Sequence, residues 1–361
     1  NALERDAATR RMATTPLLCA MLCALNYKKR GDLPNQRIEL YKETCDMLLR
    51  KRDNARDIDT EEATLDLQQA RNILSGLAVW MLRNRKTEVP ISTFKKRIKE
   101  LTPADKINKI SREQIFRLLT ERSGVVRLAA ADQVDFVHRT FLEYFAAEAL
   151  KDDAGWDEVV EHAHDADWME TIVLASALGD KPGRKIIIEG LIKKGHAFPS
   201  LAERHRLFLL AAWCAASVTR LEKSTSKQVK QALEQTPLPY DEATIKSWAN
   251  ADYLGLSRLA CASPKRHWQG AGCVRALALI GSEKAFDEIK AYAQTIQKDD
   301  WALRRAVCDA WRWFDRKSFY NKIILSLTKI SFSAWVGLNE LNILAAAPNL
   351  QSVDLSSTKV T

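Results

Sequence analysis

Apolar residues recur at helical spacing along most of the chain, and this pattern changes clearly in one place, residues 124–138. Residues 124–129 and 134–138 are short runs rich in β-branched residues, and the polar residues 131–133 separate them. Two such runs around a polar turn predict a β-hairpin. The helical pattern returns over residues 140–150, so the hairpin is expected to lie between helices.

The composition supports a mostly α-helical fold. Thirteen Gly and ten Pro in 361 residues are too few for an architecture with many turns. Amphipathic helices are predicted upstream of the hairpin over residues 16–30, 37–52, 62–85, 91–101 and 111–120. Ser111 followed by Gln114 has the form of a capping box at the start of the last of these. Helices, a small hairpin and a closing helix together indicate a winged-helix-like module.

Charge and cysteine content limit the class of protein. The chain has 55 Lys and Arg against 46 Asp and Glu, a net charge of +9, without a polybasic tail. This moderate basicity permits contact with an acidic partner but does not imply nucleic-acid binding. The longest apolar run, 207–218, is shorter than the ~20 residues of a membrane helix, so no membrane contact is expected. Seven irregularly spaced cysteines without a CxxC pair predict reduced core thiols in a reducing compartment, which indicates the cytoplasm.

The C-terminal half is predicted to consist of helices, with a different repeat at its end. Residues 273–281 and 303–310 are similar helical runs about one repeat apart, which favours an α-solenoid of HEAT-like helices. Near the end, Leu350, Val353 and Leu355 fit the L-x-x-L-x-L frame of a leucine-rich repeat. Because the sequence begins without Met and stops inside this frame, we interpret it as part of a longer protein.

Motifs of known catalytic sites are not found in the sequence. Residues 179–185 resemble a phosphate-binding P-loop, but the spacing is wrong and the Lys–Ser/Thr pair is missing, so they are predicted to be a turn. His162 and His164 are metal-ligand types, yet alternate residues of a helix point in nearly opposite directions. They are therefore predicted to be a solvated helix end, and no catalytic or metal-binding residue is expected in this chain.

Two further features could bind a ligand. The basic clusters 28–30, 50–52 and 95–97 lie among acidic residues or at helix ends, which favours solvated faces, although polyanion contact stays open. His138 lies at the junction between the hairpin and the next helix, among aromatic and apolar neighbours. A partly shielded imidazole beside a helix N-terminus suits a phosphate, but a core histidine with satisfied hydrogen bonds is the more frequent role.

Residues 136–147 carry a family resemblance. They resemble the end of the winged-helix domain of NACHT proteins, the NLR-like branch of the STAND class of signalling ATPases, whose usual form is F-x-H-R-T-F-Q-E-Y/F-x-A-A. Leu142 stands at the Gln position of that form. Residues 15–41 resemble the T-P-L-L…L-C…R-G-x-L-P…R-x-x-L-Y run that joins the helical domain to the winged helix. Together the two runs span about residues 15–150.

The resemblance implies a nucleotide-driven switch. NACHT proteins are closed with ADP, and exchange for ATP after a trigger binds the sensor permits oligomerisation and activates an effector. The winged-helix His contacts the phosphate end of ADP in the closed form, and this role is transferred to His138. The Pro of the T-P-L-L run packs near the adenine, and this role is transferred to Pro16. The Walker residues and Mg²⁺ would lie in an NTPase domain upstream of Asn1, so the parent protein is expected to be the ATPase.

The same resemblance implies partners and a biological role. The expected partners are the protein's own NACHT NTPase domain, a trigger ligand at the C-terminal helical region, and further copies of the chain in a homo-oligomer. Bacterial members with this layout serve in defence against phage, so an antiviral role with a phage protein as trigger is the expectation. Nucleic acid is not an expected partner.

Five domains are predicted on this basis. They are the end of the NACHT helical domain (1–33), the winged-helix domain (34–150), a second helical domain (151–250), a HEAT-like helical region (251–337) and a leucine-rich-repeat start or cap (338–361). Two alternative functions stay open. One is a helical-repeat scaffold for protein–protein interaction without nucleotide dependence. The other is a winged-helix DNA-binding regulator, against which the apolar and acidic character of helix 140–150 speaks.

Overall fold

A computed structural model describes nine segments of the chain. These are residues 16–28, 36–50, 65–102, 110–129, 132–218, 220–260, 267–297, 300–331 and 350–354. The chain divides into two compact units, Asn1–Lys194 and Gly195–Thr361. The predicted fold class is confirmed, since the described segments hold 17 α-helices and a small antiparallel sheet.

The first unit contains nine helices and one three-stranded sheet among its described residues. In chain order these are α1 (Pro16–Lys28), α2 (Arg37–Arg50), α3 (Leu67–Arg83), β1 (Glu88–Pro90), α4 (Ile91–Leu101), α5 (Arg112–Arg117), β2 (Val126–Ala129), β3 (Gln133–Phe136), α6 (Arg139–Asp152), α7 (Trp156–Glu161), α8 (Met169–Leu178) and α9 (Lys181–Ala197). The order of helices and strands from α2 to α6 is that of a winged helix.

The sheet confirms the predicted hairpin and adds a strand to it. β2 and β3 pair antiparallel, with Leu128 opposite Val134, and Asp132 adopts a positive φ of 56° in the turn between them. β1 pairs with the other edge of β3, with Val89 opposite Val134, so the strand order is β1-β3-β2. A three-residue strand that ends in Pro90 shows no alternation in the sequence, and Pro is tolerated there because β1 is an edge strand.

The predicted capping box is present at the start of α5. The hydroxyl of Ser111 accepts the N–H of Gln114 at 3.2 Å, and the Gln114 side chain accepts the N–H of Ser111 at 2.8 Å. The helix continues beyond Arg117 as a π-helical turn, Leu118–Arg122, which leads into β2. The cap therefore sets where the helix that precedes the hairpin begins.

The core of the first unit lies where α3 and α6 pack against each other. Both helices are apolar on several sides, and their buried residues include Leu74 and Leu77 of α3 and Tyr144 and Phe145 of α6. Phe136 at the end of β3 packs on Phe145, with ring centroids 6.3 Å apart. The end of the hairpin is thereby fixed to the helix that follows it.

Two predictions for this unit need correction. Residues 179–185 are not a turn throughout, because α9 begins at Lys181 and the Asp180 carboxylate accepts the N–H of Gly183 at 2.8 Å. Asp at a helix start followed by Pro is a strong initiation signal, which the comparison with a P-loop hid. The cysteines are not all in the core either, since Cys23 is exposed and Cys19 is half-buried on α1.

The second unit holds eight helices and a pair of short strands among its described residues. They are α10 (Leu201–Ala216), α11 (Lys223–Glu234), α12 (Glu242–Asn250), α13 (Leu256–Leu259), α14 (His267–Ile280), α15 (Glu283–Thr295), α16 (Trp301–Asp309), α17 (Arg316–Lys322), β4 (Lys329–Ser331) and β5 (Ser352–Asp354). α10, α12, α14 and α16 pack one on the next, and α15 packs on both α14 and α16. This stack is compatible with a solenoid, and the predicted HEAT-like repeat stays a prediction.

The strands at the end of the second unit are parallel. Lys329 pairs with Ser352 and Ile330 with Val353, so the two strands are 23 residues apart along the chain. That offset falls within the 20–29 residues of leucine-rich repeats. Leu350 is described next to β5, whereas Leu355 lies outside the described residues, and the leucine-rich repeat also stays a prediction.

The division into two units bears on the predicted domains without testing them. The boundary after Lys194 falls inside the predicted second helical domain. One compact unit can hold more than one domain, so the five predicted boundaries stay predictions. Within the described segments, every helix is too short or too polar to cross a lipid bilayer.

Candidate functional site

His138 is the N-cap residue of α6. Its backbone is extended, with φ −144° and ψ 138°, and its ring nitrogen Nδ1 accepts the N–H of Thr140 at 3.2 Å. The hydroxyl of Thr140 also lies 2.8 Å from Nδ1. The carbonyl of His138 accepts the N–H of Phe141 at 3.0 Å. Because the first free N–H groups of a helix need acceptors, this half-buried side chain has a clear structural role.

The cap determines which ring nitrogen can serve a ligand. A neutral imidazole has one N–H and one acceptor nitrogen, and Nδ1 is committed as the acceptor of the Thr140 N–H. The proton of the neutral ring therefore belongs on Nε2. An Nε2–H group at the root of the hairpin can donate to a phosphate oxygen without disturbing the cap.

Two of the first N–H groups of α6 already have acceptors within the chain. The N–H of Thr140 is taken by the His138 ring and that of Phe141 by the His138 carbonyl. These two donors are not available to an anion. The partial positive charge of the helix N-terminus still favours an anion nearby, but the hydrogen bond has to come from the ring.

The backbone on both sides of His138 is held firmly. The N–H of Val137 donates to the carbonyl of Val125 at 2.9 Å, which ties the end of β3 to the start of the hairpin. On the other side, α6 is buried from Thr140 to Ala147. The imidazole therefore projects from a fixed junction of sheet and helix, which is the kind of support that a binding group needs.

Arg139 joins this junction to the helices that follow. Its guanidinium pairs with Glu143 at 3.0 Å within α6 and with the carboxylate of Asp167 at 2.9 Å. Burial raises the pKa of the Glu143 carboxyl, and the hydrogen bond from Arg139 opposes that shift. The pair with Asp167 connects the residue next to His138 directly to the segment before α8.

Three more ion pairs connect the winged helix to the same segment. They join Arg37 to Glu170, Arg83 to Glu158 and Arg85 to Asp165. The pair between Arg83 and Glu158 is bidentate, with both distances at 2.7 Å. Four basic residues of the winged helix thus face acidic residues 158–170, all within the first unit.

A largely buried charged network joins three helices of the winged helix. The Arg71 guanidinium contacts Asp46 of α2 and Glu148 of α6, and it donates to the Tyr144 hydroxyl at 2.7 Å. Tyr144 in turn donates to Glu148 at 3.0 Å. Burial raises the pKa of the adjacent Cys45 thiol, with Arg71 opposing the shift. The network joins α2, α3 and α6, and no sequence pattern predicts it because Arg71 is far from its partners along the chain.

Pro16, the second predicted site residue, begins α1. Its side chain lies outside the described residues, so the expected adenine contact stays a prediction. The same holds for the basic clusters at 28–30 and at 50–52, most of whose residues are not described. The structure therefore does not show whether Pro16 and His138 come together.

The remaining candidate residues have structural partners. Lys95 pairs with Glu113 at 2.8 Å, and Arg97 pairs with Glu100 and covers the Trp80 ring. His162 stacks on Trp168 with centroids 3.9 Å apart, in a 3₁₀ turn that ends α7.

Among the described residues, no group of three or more His, Cys, Asp or Glu side chains could hold a metal ion.

The DNA-binding alternative has to be judged on a different helix. In a helix-turn-helix the second helix enters the groove, and here that is α5 with its π-helical turn rather than α6. The exposed charges on that element are Glu113, Arg117, Glu121 and Arg122. Alternating signs of this kind weaken attraction to phosphates, and the absence of a nucleic-acid partner stays a prediction.

Comparison with known protein families gives a match within the first unit. Residues 37–150 match the family of the winged helix-turn-helix domain C-terminal to NACHT. The match covers about a third of the chain, from the start of α2 to α6, and includes His138. It supports a NACHT-family protein, of which this chain would be a regulatory region. No curated protein matches the sequence.

Proposed function

We propose that the chain is the regulatory and sensor part of a NACHT nucleotide switch. In this proposal the Nε2–H of His138 donates to the phosphate end of ADP held mainly by an upstream NTPase domain. The observation that carries the proposal is the cap, because acceptance of the Thr140 N–H at Nδ1 places the proton of the neutral ring on Nε2. The match of residues 37–150 to the domain that follows NACHT supports the same role.

The strength of the contact suits a switch. A hydrogen bond between an imidazole and a charged phosphate contributes about 1.5–3 kcal/mol. A ligand shifts a conformational equilibrium by its differential affinity for the two states, so this bond would favour the closed state by roughly 10- to 150-fold. Exchange for ATP, with release of the winged helix, would then permit oligomerisation.

The ion pairs to residues 158–170 provide a route to the sensor. Arg139 follows His138 directly and pairs with Asp167, and Arg37 pairs with Glu170 at the start of α8. A displacement of this segment by a bound trigger would pull on the residue beside the phosphate contact. From the family resemblance we also propose a role in defence, with a phage protein as the trigger.

The decisive experiment separates the cap from the phosphate contact. His138→Asn keeps a strong N-cap acceptor but loses the Nε2 donor, whereas His138→Ala loses both. The parent protein with its NTPase domain would be purified in each form, and retained ADP would be measured together with thermal stability. We expect both variants to bind ADP about 10- to 150-fold more weakly and to oligomerise without trigger, while His138→Asn keeps the wild-type stability.

Other outcomes would reject the proposal. If His138→Asn keeps full ADP affinity while His138→Ala loses it, the ring serves only the fold. If the wild-type parent binds no nucleotide, the helical scaffold is the correct function. A gel shift of duplex DNA by the chain, falling steeply with salt, would instead favour the DNA-binding regulator.

A further inference from the structure

Thr140 contacts the ring of His138 with two of its groups. It is the second residue of α6 and is buried, with 9% of its surface exposed. Its backbone nitrogen lies 3.2 Å from Nδ1, and its hydroxyl oxygen lies 2.8 Å from the same nitrogen. The backbone N–H serves the helix cap, so the cap alone does not account for the shorter contact of the hydroxyl.

The hydroxyl is directed at the ring by its place in the helix. Thr120 and Thr236, which are also buried, donate to the carbonyls four residues earlier at 2.9 and 3.0 Å, as helical threonines commonly do. Thr140 stands in the first turn of α6, where no helical carbonyl precedes it. Among the described residues, the imidazole is the one hydrogen-bond partner of its hydroxyl.

This contact bears on how the ring is oriented. The torsion that turns a histidine ring is broad and roughly two-fold, so a free ring has two settings half a turn apart. Half a turn puts the Cδ2–H group where Nδ1 stands, and Cε1 where Nε2 stands. A C–H group cannot accept the hydroxyl or the N–H of Thr140, so both groups favour the observed setting.

We propose that Thr140 is a positioning residue for His138. Its hydroxyl donates to Nδ1, which carries no proton in the neutral ring, and thereby holds Nε2–H in one place. From that place Nε2–H donates to the phosphate end of a nucleoside diphosphate. The inference rests on the proposed nucleotide contact and adds to it a buried residue that acts through the ring and not on the ligand.

Thr140→Val tests the role because it puts a methyl group in place of the hydroxyl. Carbon atoms in contact lie about 3.5–4.0 Å apart, so a methyl group cannot stand 2.8 Å from Nδ1, and the ring has to move by about 0.7–1.2 Å. A donor displaced by that much is expected to lose about half of the free energy of its hydrogen bond. Since the full bond to phosphate changes affinity by about 10- to 150-fold, the expected loss is about 3- to 12-fold.

The experiment has one readout without nucleotide and one with it. ¹⁵N NMR of the histidine rings in the whole chain, without nucleotide, reports the hydrogen bond at Nδ1. The ADP affinity of the parent protein with its NTPase domain reports the consequence for binding. Thr140→Ser keeps the hydroxyl, and the matched control is Thr120→Val, which removes a buried hydroxyl that donates to Phe116 in the same domain.

We expect Thr140→Val to shift the His138 Nδ1 signal and to weaken ADP binding about 3- to 12-fold. Thr140→Ser and Thr120→Val should stay within about twofold of the wild-type affinity and leave the Nδ1 signal in place. In the His138→Asn background, Thr140→Val should have no further effect on ADP affinity, because a positioning residue acts through the ring that it positions.

Other results separate the positioning role from the nucleotide contact. An unchanged Nδ1 signal, or an equal loss of ADP affinity in Thr140→Val and Thr120→Val, would overturn the positioning role. Unchanged ADP binding in Thr140→Val would overturn it too and leave the nucleotide contact standing, provided that His138→Asn weakens binding. Unchanged binding in both would overturn the nucleotide contact, and the positioning role with it. Circular dichroism checks folding, and Thr140→Ala replaces Thr140→Val if that variant unfolds.

Discussion

The buried guanidinium of Arg71 gives the strongest prediction for the winged helix. Arg71 is 8% exposed, and it faces two carboxylates whose side chains are 27% exposed for Asp46 and 14% exposed for Glu148. Arg71→Ala would leave both carboxylates without their countercharge. Loss of one member of a buried ion pair costs about 3–5 kcal/mol, and the partial exposure of Asp46 places the expected cost near the lower end, at about 3 kcal/mol.

Hydrogen exchange measured by mass spectrometry is the suitable assay, because it reports each helix separately. A loss of about 3 kcal/mol should speed exchange in α3 and α6 roughly 100- to 200-fold. Peptides from the second unit act as an internal control and should not change. The matched variant is Arg83→Ala, which breaks a more exposed pair with Glu158 and should speed exchange by less than about fivefold.

A second variant tests whether the cost of Arg71→Ala comes from the unpaired carboxylates. Replacing Arg71 by Met together with Asp46→Asn and Glu148→Gln removes the charges in concert and should recover more than half of the lost protection. If Arg71→Ala changes exchange no more than Arg83→Ala does, the buried network does not stabilise the packing of α3 on α6. If the triple replacement is as unstable as Arg71→Ala, the cost comes from lost packing and not from unpaired carboxylates.

Two further predictions concern the rest of the chain. Arg83 lowers the pKa of the Glu158 carboxyl, so the stability from this pair is present above the unfolded pKa and is lost as the pH falls through the folded pKa. Glu158→Gln should therefore cost about 0.5–1 kcal/mol in urea unfolding at pH 7 and progressively less as the pH falls below the ordinary carboxyl range, and a constant difference would contradict the ionic origin. Gly272→Ala should destabilise the second unit by about 2 kcal/mol or more, because a Cβ there would lie 1.9 Å from the Pro239 carbonyl oxygen. Thermal unfolding should show a smaller change for Gly270→Ala, whose Cβ would meet side-chain atoms at 3.2 Å or more, and equal changes would refute the close approach at Gly272.

Local signals explain what the sequence predicted correctly. The capping box at Ser111 and the hairpin around Asp132 depend on residues close together along the chain, so the pattern was sufficient. Strand β1 was missed because its pairing with β3 is established across more than 40 residues and three residues carry no period of their own.

The candidate site could be predicted only in part, because some of its features are local in sequence and others depend on tertiary packing. The position of His138 between strand and helix is a local feature, whereas its Nδ1 cap requires the ring orientation that the structure provides. The contacts of Arg71 and the four ion pairs to residues 158–170 join positions 25 to 133 residues apart. Pairings of that kind follow from tertiary packing, which no period or motif in a single sequence encodes.

The central claim is that the neutral His138 ring carries its proton on Nε2 and can donate it to a phosphate. Long-range ¹H–¹⁵N NMR of the histidine side chains tests it directly, with the His138 signals assigned by their loss in His138→Asn. We expect the neutral ring to be the Nε2–H tautomer, with Nδ1 unprotonated and accepting from Thr140. A neutral ring protonated on Nδ1 would leave Nε2 as an acceptor, which cannot donate to ADP, and would contradict the account.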